Sequence, residues 1–272
     1  MAKTRFYSRL NVVAEVMSVS ARRLLLRLVL PILILVVWTW LAGSTLVPEL
    51  TMPTPLEVLR QWKIMFDEDD LIVQIFTSLT RAMTGLAIGG AIGFLLGLSA
   101  GISELVENVV DAPLQMMRAI PFIALIPLFI LWFGIGETPK IVIIALATYY
   151  PVYANTSSGV RNVDGRIVEC AQSFGVSGRE LYQKVIIPLA MPTILTGLRL
   201  SLIISVLALV AAEQINAQSG IGFLLTRSTG YGQNYAVFAC VALYALFGLL
   251  ADLLVRALEK VLVPWRSGVA LR

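Results

Sequence analysis

The polar groups best placed to do work in this sequence sit inside or beside apolar runs. Arg199 interrupts "PTILTGLRLSLIISVLALVAA", Glu213 and Gln214 follow the same run, and Arg118 opens "RAIPFIALIPLFILWFGIG". A guanidinium in such surroundings either sets a positive field for an anion or snorkels its head group to a nearby interface. Arg199 stands roughly 10 Å up a helix from Pro192 at 1.5 Å per residue, so snorkelling or structural pairing is the favoured reading there. Glu213 and Gln214 either line an outer gate or mark where the helix meets water. Arg118, Arg199, Glu213 and Gln214 are therefore the candidates for lining a path through the apolar region. None of them forms a catalytic set. The chain contains no histidine, which removes the commonest general base and the commonest metal ligand. Without histidine no G-x-S-x-G elbow can be completed to a Ser/His/Asp set, and the chain has no H-E-x-x-H or Cys/His metal cluster and no G-x-x-x-x-G-K-[ST] phosphate loop. Cys170 and Cys240 have neither a disulfide nor a zinc spacing and read as small packing residues. "FDEDD" at 66–70 lacks the spacing and glycine of a calcium loop; it reads as a solvated loop. Asp252, near the end of the last apolar run, reads as a partner for a nearby basic residue.

The elements that must position these groups are membrane helices. Of 272 residues, 58% are hydrophobic and only 14% charged, against about a quarter charged in a soluble domain; mean hydropathy is +0.83. A hydrocarbon core of about 30 Å needs about 20 helical residues. Six runs meet this near 28–47, 78–102, 114–133, 141–157, 192–212 and 235–256, the third interrupted by Pro121 and Pro127. The fold class expected is an all-α membrane protein of six spans. Lys3, Arg5, Arg9, Arg22, Arg23 and Arg27 precede the first run, and Arg256, Lys260, Arg266 and Arg272 end the chain. Such clusters mark cytoplasmic helix ends better than they mark a nucleic-acid site. Both termini are then inside: a basic segment at 1–27, a transmembrane region at 28–266, and a tail at 267–272. The loops after the first, third and fifth runs are poor in Lys and Arg and face outward. The loop at 160–191 holds Arg161, Arg166, Arg179 and Lys184 and faces the cytoplasm. The short loop at 103–111, with Glu104, Glu107 and Asp111, is inside by parity.

Gly85, Gly89, Gly93, Gly97 and Gly101 recur every fourth residue in the second run. At 3.6 residues per turn each step drifts by roughly 40°, giving a slanted groove without side chains. Such a groove admits another helix backbone closely, within the subunit or across a dimer.

The cytoplasmic loop carries "ECAQSFGVSGRELYQKVIIP". Glu169, Ala171, Gln172, Phe174, Val176, Leu181 and Tyr182 suit a short amphipathic helix broken near Gly175, with Gly178 allowing a turn and Pro188 and Pro192 stiffening the return. Such a surface helix fits a groove of another protein. The segment resembles the EAA loop of binding-protein-dependent ABC importer permeases, whose signature is E-A-A, three residues, G, nine residues, then I-x-L-P. Glu169, Ala171, Gly175 and Pro188 match it; Cys170, Val185 and Ile187 depart by small size changes. "RAIPFIALIPLFILWFGIGETPKI" and "AEQINAQSGIGFL" resemble the branch that imports aliphatic sulfonates, taurine, nitrate or bicarbonate, most closely the aliphatic sulfonate permeases.

The resemblance implies a type I importer permease in a bacterial inner membrane. It implies two permease copies, two cytoplasmic ATPase subunits and an external substrate-binding protein. ATP and magnesium would then be held by the ATPase, and this chain would be a non-enzymatic translocation subunit with no cofactor or metal of its own and no nucleic-acid partner. The resemblance assigns ATPase coupling to Glu169, Cys170, Ala171, Phe174, Gly175, Val176 and Arg179. A gradient-driven transporter or channel is the rival class, opposed by the scarcity of acids in the spans. A membrane enzyme ranks last.

Overall fold

The computed structural model describes residues 29–44, 51–215 and 217–263, and every regular element among them is helical. The basic segment 1–27, the tail 267–272 and the edges of the first expected span lie outside the described residues. The helices are α1 (Val29–Ala42), α2 (Pro55–Glu68), α3 (Leu71–Ile102), α4 (Glu104–Ala119), α5 (Ile126–Phe133), α6 (Glu137–Arg161), α7 (Gly165–Ser173), α8 (Gly178–Leu181), α9 (Ile187–Gln214), α10 (Ile221–Gly230) and α11 (Asn234–Leu262). A 3-10 turn, Phe122–Leu125, precedes α5, and a π turn, Tyr182–Ile186, joins α8 to α9. Among the described residues, α3, the continuous stretch Gly178–Gln214 and α11 are long and apolar enough to cross a bilayer, and the bent pair α4–α5 makes a fourth if taken as one span.

The glycine register decides the centre of the bundle. A Cβ on Gly85 would stand 2.5 Å from Ile144 Cβ, on Gly89 2.3 Å from the Ala145 carbonyl oxygen, and on Gly93 2.2 Å from that of Tyr149. On Gly97 it would stand 2.5 Å from the Tyr153 carbonyl oxygen, and on Gly101 2.7 Å from Val160 Cβ. The five glycines therefore seat α3 backbone-to-backbone on α6 of the same chain, along most of both helices. Helix α9 packs on an adjacent face of α6 and also touches α3, where Leu86 and Leu202 share a buried cluster. A Cβ on Gly197 would be 2.7 Å from the Pro151 carbonyl oxygen, and the Ser201 hydroxyl donates to the Thr148 carbonyl at 2.6 Å. Small residues and hydroxyls are what allow such close approach where lipid offers no hydrophobic drive between helices. Helix α2, started by a capping box between Thr54 and Glu57, lies across α11, where the Trp62 indole donates to the Ala239 carbonyl at 2.9 Å.

The third expected span, 114–133, is not one straight helix. Helix α4 stops at Ala119, Ile120 is extended at φ −78° and ψ 121°, and the two halves meet at 84°. Pro121 explains the break: its ring disfavours helical geometry in the preceding residue and it has no N–H to continue the ladder. Pro188 acts differently. Without an N–H it cannot complete the ladder to Lys184, and the backbone widens into the π turn at Tyr182–Ile186 before α9 continues through Pro192. Helix α3 begins at Leu71, ahead of the run expected from 78, and its first two turns are largely apolar, with Ile72, Val73 and Phe76 exposed.

Candidate coupling surface and charged contacts across the bundle

Helix α7 is built by its two ends. Asp164 caps it, its carboxylate accepting from the Arg166 N–H at 3.0 Å and from the Arg166 guanidinium at 2.7 Å. Those two bonds, the guanidinium first, hold the Asp164 carboxyl below its ordinary range. At the other end the Val176 N–H donates to the Ala171 carbonyl and the Gly175 N–H to that of Gln172. This is the paired bonding of a Schellman motif, which places Gly175 in the left-handed region, at φ +84°. One face of the segment is anchored: Val168, Ala171, Val176, Tyr182 and Val185 pack on Val160, Leu181, Ile186, Ala190 and Ile194. The other face is bare. Phe174 is 82% exposed, and Ile167 is exposed beside it. With Asp164, Arg166, Cys170, Ala171 and Val185 these residues line an open hollow of about 560 Å³. Glu169, Gly175 and Arg179 are exposed; the Glu169 carboxylate makes no ion pair among the described residues, and its carbonyl accepts from the Ser173 hydroxyl. The segment is braced at its root by Arg161, which pairs with Glu107 of α4 and donates to the Ala100 carbonyl of α3 at 2.9 Å.

The opposite end of the bundle holds a buried ionic network. Glu213 is 1% exposed and Arg81 3%. The Arg81 guanidinium donates to Glu213 at 2.7 Å, to Glu137 at 2.7 Å and to the Ser219 carbonyl at 2.7 Å. Glu213 also accepts from the Ser78 hydroxyl at 2.8 Å and the Gly222 N–H at 2.9 Å. The Gln74 side chain accepts from the Gly220 N–H at 2.6 Å, and the Ser78 hydroxyl accepts from the Ile221 N–H at 2.8 Å. Helices α3, α6, α9 and α10 are thus tied together with the connection that leads into α10. Every oxygen of Glu213 is occupied, so this carboxylate is a structural tie in this conformation. Its neighbour Gln214 is exposed and lines an open hollow of about 410 Å³ with Glu213, Phe223, Arg227 and Tyr231.

The two remaining arginines part company. Arg199 bonds Glu259 at 3.0 Å and approaches Asp252 at 3.6 Å, joining α9 to α11, while Asp252 also takes Arg256 at 2.6 Å. Arg118 has no carboxylate partner among the described residues; its guanidinium lies over the Tyr150 ring, 4.6 Å from the centroid. No group of His, Cys, Asp and Glu among the described residues could hold a metal ion.

Residues 89–263 match the family described as binding-protein-dependent transport system inner membrane component. The chain belongs to this family. It is 38% identical over 241 residues to the SsuC protein of Bacillus subtilis, covering 89% of this chain and 87% of that one. It is 39% identical over 259 residues to SsuC of Escherichia coli, covering 94% and 98%. Both relatives are assigned by name to aliphatic sulfonates transport as permease proteins. The taurine transport system permease protein TauC of Escherichia coli is 35% identical over 241 residues, covering 87% and 88%. Among solved structures, the fold resembles an amino acid ABC transporter with histidines (TM-score 0.61, 19% identity, 73% of this chain and 97% of that one). It also resembles the MetNI methionine ABC transporter in an inward-facing conformation (TM-score 0.51, 21% identity, 66% and 93%).

In this chain the sequence motif and the geometry fall on the same segment: Glu169 and Ala171 lie on α7, Gly175 follows its C-cap Phe174, and Pro188 opens α9. Cys170 shares the bare face with Phe174, while Ala171 and Val176 face the anchor. Arg81, Glu137 and Lys140 were not singled out by sequence reasoning. The available signal was a lone arginine in the helix that carries the glycine register.

Proposed function

We propose that this chain is the membrane-spanning subunit of an ATP-driven importer for aliphatic sulfonates. The supporting relatives are the SsuC proteins, with TauC pointing to the same chemical class, a small organic anion ending in a sulfonate. In this reading six helices span the inner membrane with both termini cytoplasmic, and two copies of the chain pair around the path. An external binding protein delivers substrate, and two cytoplasmic ATPase subunits hold ATP and magnesium. The observation that carries the coupling role is α7: a short helix rooted firmly in the bundle, with an apolar residue, Phe174, standing 82% exposed on its outer face. A large side chain so exposed on a capped and braced helix suits insertion into a partner's cleft.

Closure of the ATPase pair on ATP would draw the two α7 helices together. The brace through Arg161 to α3 and α4 would carry that displacement into the bundle. By linkage, if nucleotide alters affinity for the loaded binding protein, the binding protein alters nucleotide affinity by the same factor.

Gly175→Asp tests the role. A Cβ at Gly175 meets no atom within 4 Å, and Asp tolerates the left-handed region at modest cost. The variant should insert and fold, yet place a carboxylate on the docking face. Uptake of radiolabelled alkanesulfonate by the complete transporter in proteoliposomes should fall at least tenfold. Wild-type uptake by this variant would refute the coupling role. Loss of uptake on collapsing the proton gradient at constant ATP would favour a gradient-driven carrier instead.

A further inference from the structure

Helix α4 runs antiparallel to α6 and touches it through a ladder of polar contacts. Glu107 pairs with Arg161, the Tyr153 hydroxyl donates to Asp111 at 3.2 Å, and the Tyr149 hydroxyl donates to the Leu114 carbonyl at 3.3 Å. The last rung is Arg118 over Tyr150, just before the break at Pro121. Tyr150 lies near the middle of α6, roughly 20 Å from its Glu137 end and roughly 16 Å from its Arg161 end at 1.5 Å per residue. Arg118 is therefore held at the depth of the hydrocarbon core if α6 crosses the membrane.

A cation at that depth needs a counter-charge or water. Arg81, Lys140, Arg161, Arg199 and Arg256 each have a carboxylate partner. Arg118 has none among the described residues, and it is exposed. The nearest acid on its own helix, Asp111, is occupied by the Tyr153 hydroxyl and by the Gln115 amide at 2.6 Å. The stacking contact uses the face of the guanidinium and leaves its N–H edge unengaged. That edge is a planar fork of donors matched to an oxyanion. The side chain is held against α6, a member of the central bundle, so it is not simply extended towards a lipid head group.

We propose that Arg118, oriented by Tyr150, is an anion-contacting residue on a water-accessible path at mid-depth, where it meets the sulfonate group of the substrate in transit. The proposal rests on the sulfonate-importer reading above. A bare guanidinium offers the passing anion a compensating charge where the surroundings are otherwise apolar. A single such contact is strong enough to attract the anion and weak enough to release it.

The test uses the complete transporter in proteoliposomes. Arg118→Cys in a Cys170→Ser background is treated with sulfonatoethyl methanethiosulfonate, a membrane-impermeant reagent that itself carries a sulfonate. Leu249→Cys, an exposed apolar position near the middle of α11, is the dry control. Residue 118 should be modified at least tenfold faster than residue 249, and an excess of alkanesulfonate with ATP and binding protein should slow the modification. Arg118→Gln should lower maximal sulfonate uptake at least tenfold, with binding-protein-stimulated ATP hydrolysis within about twofold of wild type, and Arg118→Lys should recover part of the uptake. A residue 118 thiol as unreactive as residue 249 overturns the proposal, because lipid or a second copy then covers it. Wild-type uptake by Arg118→Gln overturns it equally. If Arg118→Gln fails to insert, the labelling comparison alone decides. A reactive residue 118 in a transporter whose unmodified form moves no sulfonate would instead sink the substrate assignment and leave the aqueous path in place.

Discussion

Two glycines three residues apart on α3 offer a direct test of the bundle's central contact. A Cβ added at Gly93 would lie 2.2 Å from the Tyr149 carbonyl oxygen and 3.1 Å from the Tyr153 nitrogen, whereas at Gly90 it would meet nothing within 4 Å. An ordinary contact is about 3.5 Å, so Gly93→Ala must push α3 and α6 apart by roughly 1 Å. No rotamer change can relieve it, because the obstructing atoms are backbone. Both substitutions gain the same helix propensity, ~0.5–1 kcal/mol, which cancels when the two are compared. The remaining difference is the overpacking cost, typically about 1–3 kcal/mol, or roughly 5- to 150-fold in the folding equilibrium. The assay is loss of far-ultraviolet ellipticity in dodecyl maltoside on titration with sodium dodecyl sulfate. Gly90→Ala should unfold at or above the wild-type detergent fraction, and Gly93→Ala clearly below it. Coincident transitions for the two variants would refute the argument that the glycine register exists to seat α6.

Other outcomes follow from the same geometry. Cys170 is exposed and Cys240 is fully buried, so an aqueous maleimide should react at one site in the folded protein; addition of the ATPase subunits should slow that reaction at least tenfold if α7 is the docked face. Arg81→Met leaves Glu213 charged in a buried site and should cost about 3–5 kcal/mol, read as a lowered detergent midpoint, while Arg81→Met combined with Glu213→Gln should recover part of it. The folded Asp164 carboxyl is depressed by Arg166, so its capping contribution is present above the ordinary carboxylate range and is lost as pH falls through the lower, folded value. Hydrogen exchange at the Arg166 amide should therefore show unchanged protection between about pH 5 and 8, and Asp164→Ala should remove that protection throughout this range.

How far the sequence could be read depended on whether a feature was local. The α7 segment was legible in part because its motif residues, the glycine at its break and the prolines that follow lie within one stretch of chain; its cap, Asp164, was not read. The break at Pro121 was legible for the same reason, since a proline acts on its own neighbours. The glycine register announced a close helix contact but not its partner, because a surface without side chains says only that something comes near. Glu213 was misleading for a related reason. Next to Gln214 at the end of an apolar run it reads as a gate or a boundary, and its true partners are distant in sequence: Ser78 and Arg81 on α3, and Tyr244 on α11.

By itself, then, the amino-acid order determined that this chain is helical, is built largely of apolar runs of membrane length, and carries a short amphipathic segment between the fourth and fifth of them. Those properties follow from composition, period and short-range backbone constraints. Only the tertiary structure decided that α6 fills the glycine groove, that Glu213 is neutralised while Arg118 meets no carboxylate among the described residues, and that the chain bends by 84° at the Pro121 break. Pairing of charges and seating of helices are contacts between segments far apart in the chain, and their energies exist only once the bundle has brought them together.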